Sequence, residues 1–231
     1  MLLRSIRREP LVVCVCIIPW NFPFGMAMWK ILHAAIMGNS IVLKPASDTT
    51  LSALILAEVI AESAIPRGVV NIVTGPGGEI GRAHGLSHKV DKIAFTGSTE
   101  VGRQIKKMGS ETIKKVTLEL GGKSANIICD DAKMDLAVDG GLFGTFFHSG
   151  QICESCTRIL VQRKIYDEYV ARFIDKASRI RIGYQLDPAT QMGPLVMGSG
   201  PATTEKYVKI GLDEGARLAY GGKRPDGDLG A

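Results

Sequence analysis

Residues 92–111 read KIAFTGSTEVGRQIKKMGSE. The first part, KIAFTG, is apolar and closes on a glycine, as a buried strand does; the second, STEVGRQIKKMGSE, reads as a helix. Gly97 marks the junction. A strand that runs straight into a helix is half of a βαβ unit, and such units build parallel sheets with crossover helices. The remaining sequence decides whether that unit repeats.

It repeats on both sides. LVVCVCIIP (11–19) reads as a buried strand, and PFGMAMWKILHAAIMG (23–38) as a helix closed by Gly38. SIVLKPA (40–46) is a short strand stopped by Pro45. SDTTLSALILAEVIAESA (47–64) predicts a helix, with Ser47, Asp48 and Thr49 as N-cap candidates and Leu51, Leu54, Ile55, Val59 and Ile60 as its apolar face. VVNIVTG is a strand, GGEIGRAHGLS a short helix and KKVTLELGG a further strand. Residues 1–121 thus read as one domain of repeated β-α units, as in a nucleotide-binding sheet. Residues 122–231 read as a second α/β domain. Its strands are SANIICDD and TRILVQ, and its helices MDLAVDGGLFGTFFHSG, KIYDEYVARFIDKASRI and TEKYVKIGLDEGA. The final YGGKRPDGDLGA is turn-like, and the expectation is a domain cut part-way.

Composition narrows the function classes. Of 231 residues, 45% are hydrophobic and 22% charged, an ordinary globular balance. The net charge of +5 is spread out, without a basic stripe or interleaved aromatics, so nucleic acid is not an expected partner. The N-terminal apolar run is too short for a span and lacks a cleavage site, so no membrane partner is expected. Five cysteines, an odd number, without a secretory signal point to a reducing, cytoplasmic location.

Several residues carry potential chemistry. Gly75 to Gly81 and Gly97 to Gly102 are glycine loops at strand–helix junctions, where backbone N–H groups can approach an anion. Neither is a G-x-G-x-x-G, and glycine also simply ends strands. Lys44 closes a strand, where a ligand crevice or plain solvent can meet it. Asn21, between two prolines, offers an amide to a developing oxyanion or is an ordinary turn residue. Glu119 lies in an apolar strand; if buried, its pKa rises and it can serve as a general base. An edge-exposed carboxylate is the other reading.

HSGQICESC (148–156) holds Cys153 and Cys156 in a C-x-x-C spacing. Zinc needs about four paired ligands, and the other cysteines and the histidines are scattered; no metal site is expected. A thioredoxin-like pair opens a helix after a strand, whereas this one follows a helix and precedes a strand. A single nucleophilic Cys153 with Cys156 as a small filler remains, with a redox pair as the minor alternative.

Together, PWNFPFGMAMWK, GNSIVLKPA, VNIVTG, IAFTGSTEVG, TLELGGKS and GQICESCTR resemble the aldehyde dehydrogenase superfamily in order and spacing. Cys153 follows Glu119 by 34 positions, as the nucleophile follows the base in that family. The resemblance runs from Arg8 to the end and implies an α/β fold: a Rossmann-like parallel sheet with crossover helices, then part of a second α/β catalytic domain. It implies NAD(P)-dependent oxidation of an aldehyde, with Cys153 as nucleophile, Glu119 as base, and the Asn21 amide and the Cys153 N–H holding the oxyanion. Lys44 would touch the adenosine ribose, and Gly97 and Ser98 the pyrophosphate. Pro19, Trp20, Gly77 and Phe95 would line the cofactor cleft, with Ile18, Ser47, Gly81, Val101, Gly102, Leu120 and Gly121 beside them.

Three departures qualify the resemblance. Ser47 stands where strongly NAD-selective relatives carry Glu, which implies that NADP is accepted. The N-terminal part of the family's cofactor domain has no counterpart. Neither has the E-x-F-G-P segment, the C-terminal strand or the usual homo-oligomerisation element. The implied partner is a small-molecule aldehyde. The competing expectation is a catalytically silent dinucleotide-binding fragment, or a partner for a full-length relative.

Overall fold

The structure is a computed structural model that describes residues 4–230. They form two compact units, one up to Gly121 and one from Gly122 onward.

The first unit is a five-stranded parallel sheet: β1 (Val13–Ile17), β2 (Ser40–Lys44), β3 (Val70–Ile72), β4 (Lys92–Gly97) and β5 (Lys115–Leu120). Its helices are α1 (Pro23–Ile36), α2 (Leu51–Ala61), α3 (Gly77–Leu86) and α4 (Thr99–Ser110). The strand order is β3-β2-β1-β4-β5. The chain starts in the middle, winds to one edge, returns beside β1 and winds outward again. The reversal leaves a crevice at the carboxyl ends of β1 and β4, where open parallel sheets take ligands.

The central strands are buried on both faces, and the pleat divides their side chains between two cores. Cys16, Ile18, Ile41 and Leu43 pack with Ala27, Ile31, Ala53 and Leu56 of α1 and α2. Val15, Ile93 and Phe95 pack with Val90 and with Ile105 of α4. Gly38 closes α1 as expected: φ is +77°, its N–H donates to the Ala35 carbonyl, and the Asn39 N–H donates to that of Ala34. The buried Asn39 accepts from the Leu11 and Val12 N–H groups through Oδ1 at 2.7 and 3.1 Å, so the end of α1 fixes the entry to β1.

Two expectations for α2 need correction. Leu51, Leu54, Ile55 and Val59 are exposed, and Ala53 and Leu56, with half-buried Ile60, face the sheet instead. Ser47, Asp48 and Thr49 form a separate 3-10 turn. The capping position is Thr50, which makes no side-chain cap bond.

The second unit pairs β6 (Ala125–Ile128) and β7 (Arg158–Val161) in parallel, connected through α5 (Met134–Phe146). Then come α6 (Tyr166–Ala177) and α7 (Gly200–Asp213). Val138 of α5, Tyr169 of α6 and Ile128 form its core, and Tyr169 Oη donates to the Ala137 carbonyl at 3.3 Å. Arg172–Asp135 and Lys176–Asp139 are surface ion pairs between α6 and α5, each worth at most about 1 kcal/mol. The predicted helix 134–150 ends at Phe146, because His148 and Ser149 take left-handed φ values of 52° and 57°.

Candidate active site

Four strands of the first unit meet in register at their carboxyl ends. Ile17 of β1 pairs with both Lys44 of β2 and Phe95 of β4, and Gly97 of β4 pairs with Leu120 of β5. Every cofactor candidate from the sequence therefore lies at or just past the carboxyl edge of one sheet, or on the helices that start there. Ile18 is buried, and its N–H donates to the Lys44 carbonyl at 3.1 Å. Pro19, Trp20 and Asn21 follow as a half-buried turn into α1.

Lys44 is not a solvated strand end. It is 4% exposed, and desolvation holds its ammonium below the usual lysine range, partly offset by Asp48. A Cβ on Gly77 would stand 3.7 Å from its Nζ, so the N-terminus of α3 opens directly onto this amine. Ser47 is exposed, and its Oγ donates to the Gly75 carbonyl at 3.2 Å, which ties the turn after β2 to the turn after β3. Gly78 and Gly81 of α3 and Gly121 after β5 have open space where a side chain would go.

The glycines around α4 have packing reasons. A Cβ on Gly97 would meet the Phe95 ring at 2.6 Å, so Gly97 does more than end a strand. One on Gly102 would meet the Leu120 methyl at 2.6 Å; the bare position lets α4 lie on β5 with Leu120 in place. Ser98 caps α4 by accepting from the Val101 N–H at 3.3 Å. The helix therefore presents its positive end at the crevice, as an anion site requires.

Glu119 is paired with Thr96 in register on the edge strand β5, but its side chain is exposed. Of the two readings of Glu119, the edge-exposed one holds, since only β4 flanks β5. The sequence reading missed Lys30. It follows buried Ala27 by three positions and precedes buried Ile31, so it lies on the inward face of α1. Burial lowers its pKa, while the charges of Cys16 and Glu119 act to raise it. Helical spacing from Ala27 was the signal available in the sequence.

In the second unit, Cys153 is exposed in the turn between the kinked end of α5 and β7. Buried Ser155 braces that turn by donating from Oγ to the Ile152 carbonyl at 3.0 Å. Cys156 is half-buried, and its Cβ lies 3.4 Å from where a Gly144 Cβ would be, so it fills space against α5. Both thiols are free. Among the described residues no group of three or more His, Cys, Asp or Glu could hold a metal, and no helix is long and apolar enough to cross a membrane.

Residues 3–231 match the Aldehyde dehydrogenase family. The chain belongs to the aldehyde dehydrogenase family. It is 47% identical over 218 residues to retinal dehydrogenase 2 of Gallus gallus, an alignment covering 94% of this chain and 42% of that protein. The crystal structure of betaine aldehyde dehydrogenase from Staphylococcus aureus in complex with NAD+ superposes with a TM-score of 0.93 at 40% identity, covering 96% of this chain and 44% of that one. An NADP-dependent enzyme of E. coli superposes with a TM-score of 0.92 at 41% identity, covering 94% and 45%. The chain thus spans under half the length of these family members.

Proposed function

We propose that this aldehyde dehydrogenase chain contributes to NAD(P)-dependent oxidation of an aldehyde to a carboxylic acid. The observation that carries the reading is the convergence at one sheet edge of Lys44, the two helix N-termini at Gly77 and Thr99, and bare glycines with room for a ligand. That set suits a dinucleotide: amide dipoles for the pyrophosphate and a buried amine for a ribose hydroxyl. When bound, the nicotinamide supplies the hydride acceptor.

The chain's own residues do the rest. Cys153 as thiolate adds to the carbonyl carbon and forms a thiohemiacetal. The Asn21 amide and the Cys153 N–H hold the oxyanion. Loss of hydride from that carbon leaves a thioester on Cys153. Glu119 takes a proton from water, the water oxygen attacks the thioester carbon, and the carboxylic acid leaves with the thiol restored. Ser47 presents a hydroxyl where a carboxylate would repel a 2′-phosphate, which supports use of NADP as well as NAD. A second reading, cofactor binding without turnover, is favoured by the exposure of Cys153 and Glu119, since acyl chemistry needs water controlled around both.

Absorbance of reduced nicotinamide tests both. The chain is mixed with NAD or NADP and an aldehyde panel that includes betaine aldehyde and retinal. The expected result is aldehyde-dependent reduction with both cofactors, abolished in Cys153→Ala. Cofactor binding without reduction, in folded protein, would establish the silent reading. Reduction with NAD alone would remove the assignment of Ser47.

A further inference from the structure

The turn that carries Cys153 is tied to a segment more than forty positions later. Ser149 Oγ donates to the Gly193 carbonyl at 2.8 Å. Gln151 Oε1 accepts from the Val196 N–H at 3.0 Å. The same amide donates through Nε2 to the His148 carbonyl at 3.1 Å, and that carbonyl also accepts the Gln151 backbone N–H. The anchored stretch contains three left-handed residues, His148, Ser149 and Gly150, with φ of 52°, 57° and 75°. Each of the two non-glycine residues costs on the order of 1 kcal/mol there, and such strain persists only where surroundings enforce it.

The distant segment is itself anchored. The Gln191 and Met192 N–H groups donate to the Arg181 carbonyl at 2.8 and 3.1 Å, and Gly183 N–H donates to the Met192 carbonyl at 3.1 Å. Arg181 Nε donates to the Ala189 carbonyl at 2.7 Å. Gly193 to Val196 is therefore an abutment against which the turn is pinned.

We infer that Ser149 and Gln151 are positioning residues: their two bonds to Gly193 and Val196 hold the turn so that the Cys153 thiol is presented in one orientation. The inference rests on the reading of Cys153 as the nucleophile. A neutral hydrogen bond adds only about 1 kcal/mol of net stability, so losing one frees the turn without unfolding the unit. A nucleophile displaced by about 1 Å, by contrast, loses on the order of a hundredfold in rate.

The test uses the whole chain with Ser149→Ala, Gln151→Met and Gln151→Glu, which keeps the acceptor for Val196 and removes only the Nε2 donor to the His148 carbonyl. Hydrogen exchange at the Val196 amide needs neither aldehyde nor cofactor. In the parent it should be slow; Gln151→Met should speed it at least tenfold, and Gln151→Glu should hold it within threefold. Free-peptide exchange at Val196 in the parent would overturn the clamp without any variant. For function, Ser149→Ala and Gln151→Met should lower kcat ten- to a hundredfold with KM changed less than threefold. If the parent shows no aldehyde-dependent turnover, the dehydrogenase reading fails by itself, and the rate of Cys153 alkylation by iodoacetamide decides the inference: it should change at least fivefold in both variants. Faster Val196 exchange with kcat, or in that case alkylation, within twofold of the parent would reduce the clamp to a structural brace and overturn its positioning role.

Discussion

Cys16 lies on β1, the middle strand of the sheet, with 2% of its surface exposed, and burial pushes its thiol from 9.0 up to about 11. A raised folded-state pKa stabilises the fold below the unfolded value and loses that contribution as pH climbs through the folded one. Between pH 9 and pH 11 the chain should therefore lose about 2–3 kcal/mol of stability through this one group. Lys30 and Lys44 are shifted downward by burial and work in the opposite direction; Lys44 is unaffected by Cys16→Ala, whereas Lys30 loses the Cys16 charge that raises it, so the difference read is that of the thiol with its coupling to Lys30. Urea unfolding of parent and Cys16→Ala at pH 8 and pH 11 reads this contribution: the parent's advantage should shrink by about that amount. Parallel curves would show that Cys16 ionises as freely in the fold as outside it. Side-chain chemistry at this scale was only partly legible. Cys153 and Lys44 were nominated as candidates by type and position. The burial of Lys44 and the exposure of Glu119 were not, because both strand-end residues look alike until the sheet order places one inside and the other on an edge.

At the scale of elements, α4 and β5 show why a glycine can be structural and functional together. Gly102 lets α4 sit against Leu120, and that seat aims the capped helix start at Ser98 toward the crevice. Gly102→Ala should cost about 1–3 kcal/mol, as overpacking does. It should also weaken dinucleotide binding, because α4 must back away from β5. Thermal unfolding and cofactor titration of the variant check both; an unchanged affinity in a destabilised protein would detach the helix from the site. The helices and strands were readable because local apolar periodicity and glycine breaks specify them. The burial of α2 was not. That helix is apolar on nearly every side, Ser52 and Glu58 apart, so its sequence carries little face signal, and Ala53 and Leu56 turn inward because of where β2 and β3 lie.

At the scale of the molecule, α1 and α2 of the first unit leave large apolar side chains in water. Trp29 is 64% exposed, Ile36 80%, Leu51 75%, Ile55 60% and Val59 59%. Isolated exposed apolar residues are ordinary, but this many on two neighbouring helices exceed what a monomer usually shows. The chain should bind anilinonaphthalene sulfonate in its native state and associate at micromolar concentration. Leu51→Glu with Ile55→Lys should reduce both in fluorescence and sedimentation; undiminished association would place the sticky surface elsewhere. By itself the sequence determined the α/β class, the alternation of elements and the family, and it nominated Cys153, Glu119, Asn21 and Lys44 as candidates, since these are set by local pattern and residue type. Only the tertiary structure decided that the winding reverses at β1 and β4, that Glu119 lies on an edge, and that Gly97 and Gly102 are bare to admit Phe95 and Leu120. It alone showed that Ser149 and Gln151 reach Gly193 and Val196. Apart from the Gly97–Phe95 contact within β4, each of these depends on residues far apart in the chain, and no local periodicity records them.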